Sequence, residues 1–256
     1  MMYLTSGNYT LEMRNVYPYS DGHLVSISAA AVAGVLTIDE NATDNSVIYD
    51  NYRKGAYTIR LIRSIVPGMY NTICLPFDVS SSQLQAIFGS DVELLQMASA
   101  TLDGDVLNLN FDNASSIYRG TPYLIKTSKS VVNPIFTEVE IKAEEGDATG
   151  GTGFDVDFIG SFIKTTIAGN PNNLYLEANN VLNFSDNDVT MKGMRAYFHV
   201  KGAASAIKRA RIVAPNNMPT AIDVVNSENK AIKHIENGQV IILRDGKKYN
   251  VMGIRL

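Results

Sequence analysis

Short runs in which apolar and polar residues alternate recur about every ten residues, separated by Gly, Asn, Ser and Thr. A period of two belongs to a strand with one buried face. Many such runs at even spacing predict a β-sandwich or barrel. Residues 60–80, RLIRSIVPGMYNTICLPFDVS, carry the pattern most plainly. Ile59, Leu61 and Arg60, Ile62 nearly alternate. Pro67-Gly68 suits the centre of a tight turn. A second strand runs through Tyr70, Thr72 and Ile73, and Pro76, which has no backbone donor, ends it. Ser80 and Gln83 then stand at capping-box spacing, Leu84, Ile87 and Phe88 at helical spacing, and Gly89 at a C-terminal stop. One short helix near residues 81–88 is therefore expected, and long helical periodicity is absent.

The remainder of the chain reads in the same way. Residues 1–57 form a Tyr-rich β region belonging to, or preceding, a core module at 58–213. Within that module Val92–Leu95, Val106–Phe111, Tyr123–Ile125 and Phe136–Ile141 form a meander, with Asp103-Gly104 as a hairpin signal. Residues 143–153 are an acidic, glycine-rich loop, and 154–159 alternate again. A short motif recurs. Leu109-Asn110-Phe111 leads to Gly120 and then Tyr123-Leu124-Ile125, and Leu182-Asn183-Phe184 leads to Gly193 and then Tyr197-Phe198. Two copies of one hairpin suit two facing sheets. Ala206–Val213 is the last body strand, and 214–230, with Pro215, Pro219 and several Asn, is a linker. Residues 231–256 form a C-terminal β-hairpin turning at Asp245-Gly246, which pairs with the body or with another chain. The predicted class is all-β: an antiparallel β-sandwich, immunoglobulin-like or jelly-roll-like, with one short helix. Its core includes Leu61, Ile73, Leu75, Phe77, Leu109, Phe111, Tyr123, Ile125, Phe158, Tyr197 and Phe198.

Composition narrows the classes. Of 256 residues 45% are hydrophobic and 19% charged, a globular balance with ample material for a core. The net charge of −4 is unevenly spread. Residues 1–200 hold 12 basic and 22 acidic residues, and residues 201–256 hold 10 and 4. The basic tail is diffuse and has no interleaved aromatic platform, so nucleic acid is not an expected partner. The run 23–36, HLVSISAAAVAGVL, falls short of the ~20 apolar residues of a membrane span. Residues 1–20 show neither the basic start nor the apolar core of an export signal. The single cysteine, Cys74, excludes an internal disulfide framework and sits in an apolar run, where a buried inert thiol is expected.

Candidate chemistry is sparse. His23, His199 and His234 are far apart, and none has a partner at metal-ligand spacing. The chain has no nucleophile elbow. Asp186-Asn187-Asp188 and Asp39-Glu40-Asn41 put oxygen ligands in loops, which makes a structural calcium ion, with Asp186 and Asp188 as ligands, the cofactor candidate, although neither loop has the EF-hand glycine and distal glutamate. Seven of the thirteen tyrosines lie in residues 1–57. Tyr9, Tyr17, Tyr19, Tyr49 and Tyr52 are the candidates for a sugar-stacking surface, against the ordinary use of Tyr as a half-buried strand residue.

Three blocks, Tyr70-Asn71-Thr72-Ile73-Cys74-Leu75-Pro76-Phe77, Gly120-Thr121-Pro122-Tyr123-Leu124-Ile125-Lys126, and Phe158-Ile159-Gly160-Ser161-Phe162 leading to Arg195-Ala196-Tyr197-Phe198, occur in that order. The closing segment Asn237-Gly238-Gln239 to Lys248-Tyr249-Asn250 follows them. Together they resemble a β-rich module of secreted and cell-surface proteins of Bacteroidetes. The resemblance covers about residues 57–256 and brings no catalytic residues. It implies secretion or surface display and an all-β architecture, and the function expected of such a module is non-catalytic binding or adhesion, with a glycan or a host or cell-surface protein as partner. The alternatives are a carbohydrate-binding module using the N-terminal tyrosines and a glycan-degrading enzyme.

Overall fold

The computed structural model describes residues 33–44, 46–142, 148–150, 152–153, 155–201, 207–215, 232–236, 239–244, 247–250 and 255–256. Two sheets face each other as the pattern predicts. The six-stranded sheet runs in the order Arg209–Val213, Val106–Asn113, Glu93–Asp103, Pro122–Lys126 and Asn71–Cys74, with Thr152–Gly153 added alongside Glu93–Asp103. The five-stranded sheet has the order Ala148–Gly150, Val156–Ser161, Arg195–Val200, Asn170–Leu176 and Leu182–Ser185, antiparallel throughout. Leu95, Met97, Leu107, Leu109, Phe111 and Leu124 from the first sheet pack on Val156, Phe158, Leu174, Leu182, Ala196, Phe198 and Val200 from the second. Phe158 and Phe198 stack with centroids 4.3 Å apart, and Phe111 meets both edge-on at 6.0 and 6.2 Å. Each fully buried large apolar side chain contributes about 1.5–3 kcal/mol.

The repeated motif has a structural counterpart. In each sheet a central strand (Glu93–Asp103 or Asn170–Leu176) is followed by a hairpin partner (Val106–Asn113 or Leu182–Ser185). A later strand (Pro122–Lys126 or Arg195–Val200) then returns to pair on the central strand's other side.

A third layer covers the outer face of the six-stranded sheet near Asn71–Cys74. It is a three-stranded sheet of Ala33–Asp39, Ala56–Ile62 and Ile135–Glu140, together with the helix Ser81–Phe88. Ile38, Ile59, Leu61, Phe136, Leu84 and Phe88 from this layer pack on Ile73, Leu94, Tyr123 and Ile125. The helix begins with the expected reciprocal capping box between Ser80 and Gln83 and ends at Gly89, φ 106°. Gln83 Nε2 also donates to the Thr137 carbonyl at 2.7 Å, fastening the helix to the third layer. Gly104 takes φ 61° in the expected Asp103-Gly104 turn, and Gly68 takes φ 75° after Pro67.

Among the described residues three pairings are parallel: Ala33–Asp39 with Ala56–Ile62, Arg209–Val213 with Val106–Asn113, and Thr152–Gly153 with Glu93–Asp103. The tail contains the expected hairpin, Gln239–Arg244 with Lys247–Tyr249, and Ile232–Glu236 adds a third strand. Every expected core residue is buried except Tyr197. In Arg195–Val200 the buried positions are Ala196, Phe198 and Val200, so the alternation turns Tyr197 to the outer face. There its ring stacks on Tyr175, centroids 5.7 Å apart. Cys74 is a buried thiol, outside any disulfide, 3.3 Å from the Gly120 carbonyl.

Candidate functional site

The site begins where one sheet fails to close. Asn170–Leu176 pairs with Arg195–Val200 at only two positions, Asn173 opposite His199 and Leu174 opposite Phe198. Continuing that register would set Tyr175 against Tyr197, Leu176 against Ala196 and Glu177 against Arg195, but the ladder stops. The short strand Val189–Met191, just before the turn at Gly193, pairs instead with Thr165–Ile167. The splayed backbones leave a pocket of about 580 Å³, within the usual range for small-ligand sites. Tyr175, Leu176 and Glu177 line one side, Lys192, Arg195 and Ala196 another, and Asn183, Phe184, Ser185 and Thr190 help to complete it.

A tight turn fixes the basic wall. A Cβ on Gly193 would lie 2.7 Å from the Phe162 carbonyl oxygen, so no larger residue fits without a shift. Met194 follows in the left-handed region at φ 57° and is fully buried. Its carbonyl accepts from Arg63 Nη1 and from the Cys74 amide. Arg63 Nη2 donates to the Thr72 carbonyl, and Thr72 Oγ1 accepts from the Ala196 amide at 3.1 Å.

Behind this wall stands Glu40, 6% exposed. Its backbone joins two sheets, the amide donating to Ile62 and the carbonyl accepting from Gly193. Its carboxylate meets Lys192 Nζ at 2.9 Å, Arg195 Nη2 at 2.7 Å and Arg63 Nε at 3.8 Å. Burial alone would raise the Glu40 pKa. The hydrogen bonds from Lys192 and Arg195 and the charges of Arg195 and Arg63 hold it below its ordinary value of 4.5. Burial, aided by the Arg195 charge, pulls the Arg63 guanidinium down to about 9 against the opposing pull of Glu40, which leaves it protonated at neutral pH. The inner wall thus holds three cations around one carboxylate. The pocket's acids, Glu177 and Asp186, are exposed at its rim.

Two donors in residues lining the pocket have no partner among the described residues. Arg195 Nε and Tyr175 Oη are both shielded from water and unbonded. Burial raises the Tyr175 pKa, and the nearby Asn173 side chain opposes that rise. The Asn173 carboxamide oxygen meets His199 Nδ1 at 2.7 Å, and among the described residues no group meets the Tyr175 hydroxyl at hydrogen-bond geometry.

Of the residues singled out in the sequence, Asp186 lines this pocket and Asp188 accepts from the Gly169 amide at 2.8 Å. Among the described residues no cluster of three or more His, Cys, Asp or Glu side chains could hold a metal ion. Tyr49 is exposed on the helix Ser46–Asp50, and Tyr52 lies in the following turn beneath the Arg53 guanidinium. Both are away from the pocket lining. Tyr9, Tyr17 and Tyr19 lie outside the described residues. Sequence reading missed Arg63 and Tyr175, and took Glu40 as a loop oxygen ligand for calcium, whereas its carboxylate meets Lys192, Arg195 and Arg63. Glu40 lies in the polar run DENATDNS, which reads as a loop, and the neighbourhood was marked by Asp186, by Asn183-Phe184 and Gly193 of the repeated motif, and by Arg195-Ala196 of the third block. No helix among the described residues is long and apolar enough to cross a membrane.

Comparison with protein-family models, with curated proteins and with solved structures finds no match for this chain.

Proposed function

We propose that the chain is a non-catalytic binding module of a secreted or cell-surface protein, and that its ligand is a saccharide held where the five-stranded sheet splays. The observation that carries this reading is the lining of the pocket. Asn183, Ser185, Asn187 and Thr190 offer amides and hydroxyls, Lys192 and Arg195 offer charged donors, and Tyr175 and Phe184 offer rings. Such a mixture suits a polyhydroxylated ligand, whose hydroxyls need donors and acceptors and whose ring faces need apolar cover. The binding reading gives Glu40 no acid–base part, since its cations hold its carboxyl below the ordinary pKa and it is not among the residues lining the pocket. Surface display rests on the resemblance of the three sequence blocks. The site differs from the N-terminal tyrosine surface, and the two are separable by experiment.

A glycan array probed with the full chain tests this reading, followed by calorimetry on the best saccharide. Thr190→Trp, at an exposed position of the lining, should fill the pocket and abolish binding without loss of fold. Saccharide binding that survives Thr190→Trp and is lost with Tyr49→Ala and Tyr52→Ala would move the site to the tyrosine surface.

A further inference from the structure

We infer that the saccharide recognised here carries an oxyanion, a carboxylate or a sulfate ester, seated against Arg195, Lys192 and Tyr175. This rests on the saccharide-binding reading and adds its chemical class. Two independent observations point to it. The first is charge. Arg63, Lys192 and Arg195 surround Glu40 alone, so the inner wall keeps an excess of two positive charges. Lys192, Glu177 and Asp186 are all exposed and screened by solvent, so the surplus that counts is that of the less exposed charges, Arg63 and Arg195 against Glu40. The second is the pair of unbonded donors. Arg195 Nε and Tyr175 Oη are withdrawn from water and have no acceptor among the described residues. Tyr175 is 8% exposed, and its ring is held by stacking on Tyr197.

Buried polar groups are almost always satisfied, and each exception calls for an explanation. An oxyanion supplies one. It presents several acceptor lone pairs to a guanidinium and a phenol and neutralises the surplus charge, and such charge-assisted bonds are about twice as strong as neutral ones. A neutral sugar hydroxyl would satisfy one donor and leave the charge. Lys192 is 46% exposed in its side chain, so it can turn from Glu40 towards the ligand at little cost.

The test is calorimetry of the full chain at fixed salt with three probes: a galacturonate oligosaccharide, a sulfated galactose disaccharide and the neutral galactose oligosaccharide. One or both acidic probes should bind at least tenfold more tightly than the neutral one. Which of them does so tells carboxylate from sulfate ester. Tyr175→Phe keeps the ring and removes the donor. It should weaken the acidic probe about tenfold, as loss of a hydrogen bond to a charged group does, and leave the melting temperature unchanged or raised, since the hydroxyl has no partner to lose. Equal affinity for neutral and acidic probes overturns this inference and leaves the saccharide reading standing. An unaltered acidic affinity in Tyr175→Phe also overturns it. Binding of no saccharide overturns both.

Discussion

Replacing Glu40 with glutamine removes the one carboxylate facing Arg63, Lys192 and Arg195 and keeps the side-chain shape. The partners then fare differently. Lys192 and Arg195 are 46% and 31% exposed in their side chains, so water takes over much of their solvation, and exposed pairs of this kind are worth only about 0–1 kcal/mol each. The Arg63 side chain has no exposed surface and loses its ion-pair partner among the described residues. Breaking a buried pair from one side costs about 3–5 kcal/mol. The 3.8 Å separation and the two carbonyl bonds that Arg63 keeps, to Met194 and Thr72, place the cost near the low end, about 3 kcal/mol. For a chain of this length that amounts to roughly 6–12 °C in melting temperature. The assay is urea unfolding followed by circular dichroism at pH 7, with Arg63→Met and the double variant Glu40→Gln/Arg63→Met completing a cycle. The double variant should be more stable than the sum of the single effects predicts, because neither charge is then stranded. A Glu40→Gln effect below about 0.5 kcal/mol, the range of ordinary surface substitutions, would refute the reasoning.

The same carboxylate sets a pH dependence. Its folded pKa is depressed, so its contribution is present above the unfolded value of 4.5 and is lost as pH falls through the folded value. The loss of stability on acidification below pH 4.5 should therefore be shallower in Glu40→Gln than in the native chain, and parallel curves would contradict this. Gly160→Ala would place a Cβ 2.4 Å from Cys74 Sγ, and such overpacking costs about 1–3 kcal/mol in denaturant unfolding. Adding Cys74→Ala should recover part of that loss. Phe158→Ala, at the centre of the aromatic cluster, should cost about 3–5 kcal/mol by the same measurement. Ser80→Ala, which removes a helix cap, should cost about 1 kcal/mol.

Local chemistry was legible where neighbours in sequence settle the outcome. Ser80 and Gln83 cap their own helix, Gly104 supplies its own turn, and the alternation through Val106–Asn113 fixes which residues face inward. The recurrence of Leu-Asn-Phe also foretold two facing sheets. Pairing between distant strands was not legible. Nothing in Ala33–Asp39 names Ala56–Ile62 as a parallel neighbour, and nothing in Arg209–Val213 names Val106–Asn113. Those choices come from which faces remain uncovered once the sandwich forms. The pocket was hidden for a related reason: it exists because two strands part after Leu174 and Phe198. Periodicity reports how a strand alternates and says nothing of where its ladder ends. Glu40 read as a loop residue because its three cationic partners lie at least 23 positions away in sequence.

The central claim is that the splayed region of the five-stranded sheet is where ligand binds. Amide chemical-shift perturbation in the isotope-labelled full chain, titrated with the best saccharide from the array, tests it most directly. The account predicts that the perturbed amides concentrate at residues 175–177, 183–187 and 189–196, with Thr72 across the sheet boundary. Perturbations confined to the three-stranded outer sheet, or to residues 46–57, would contradict it.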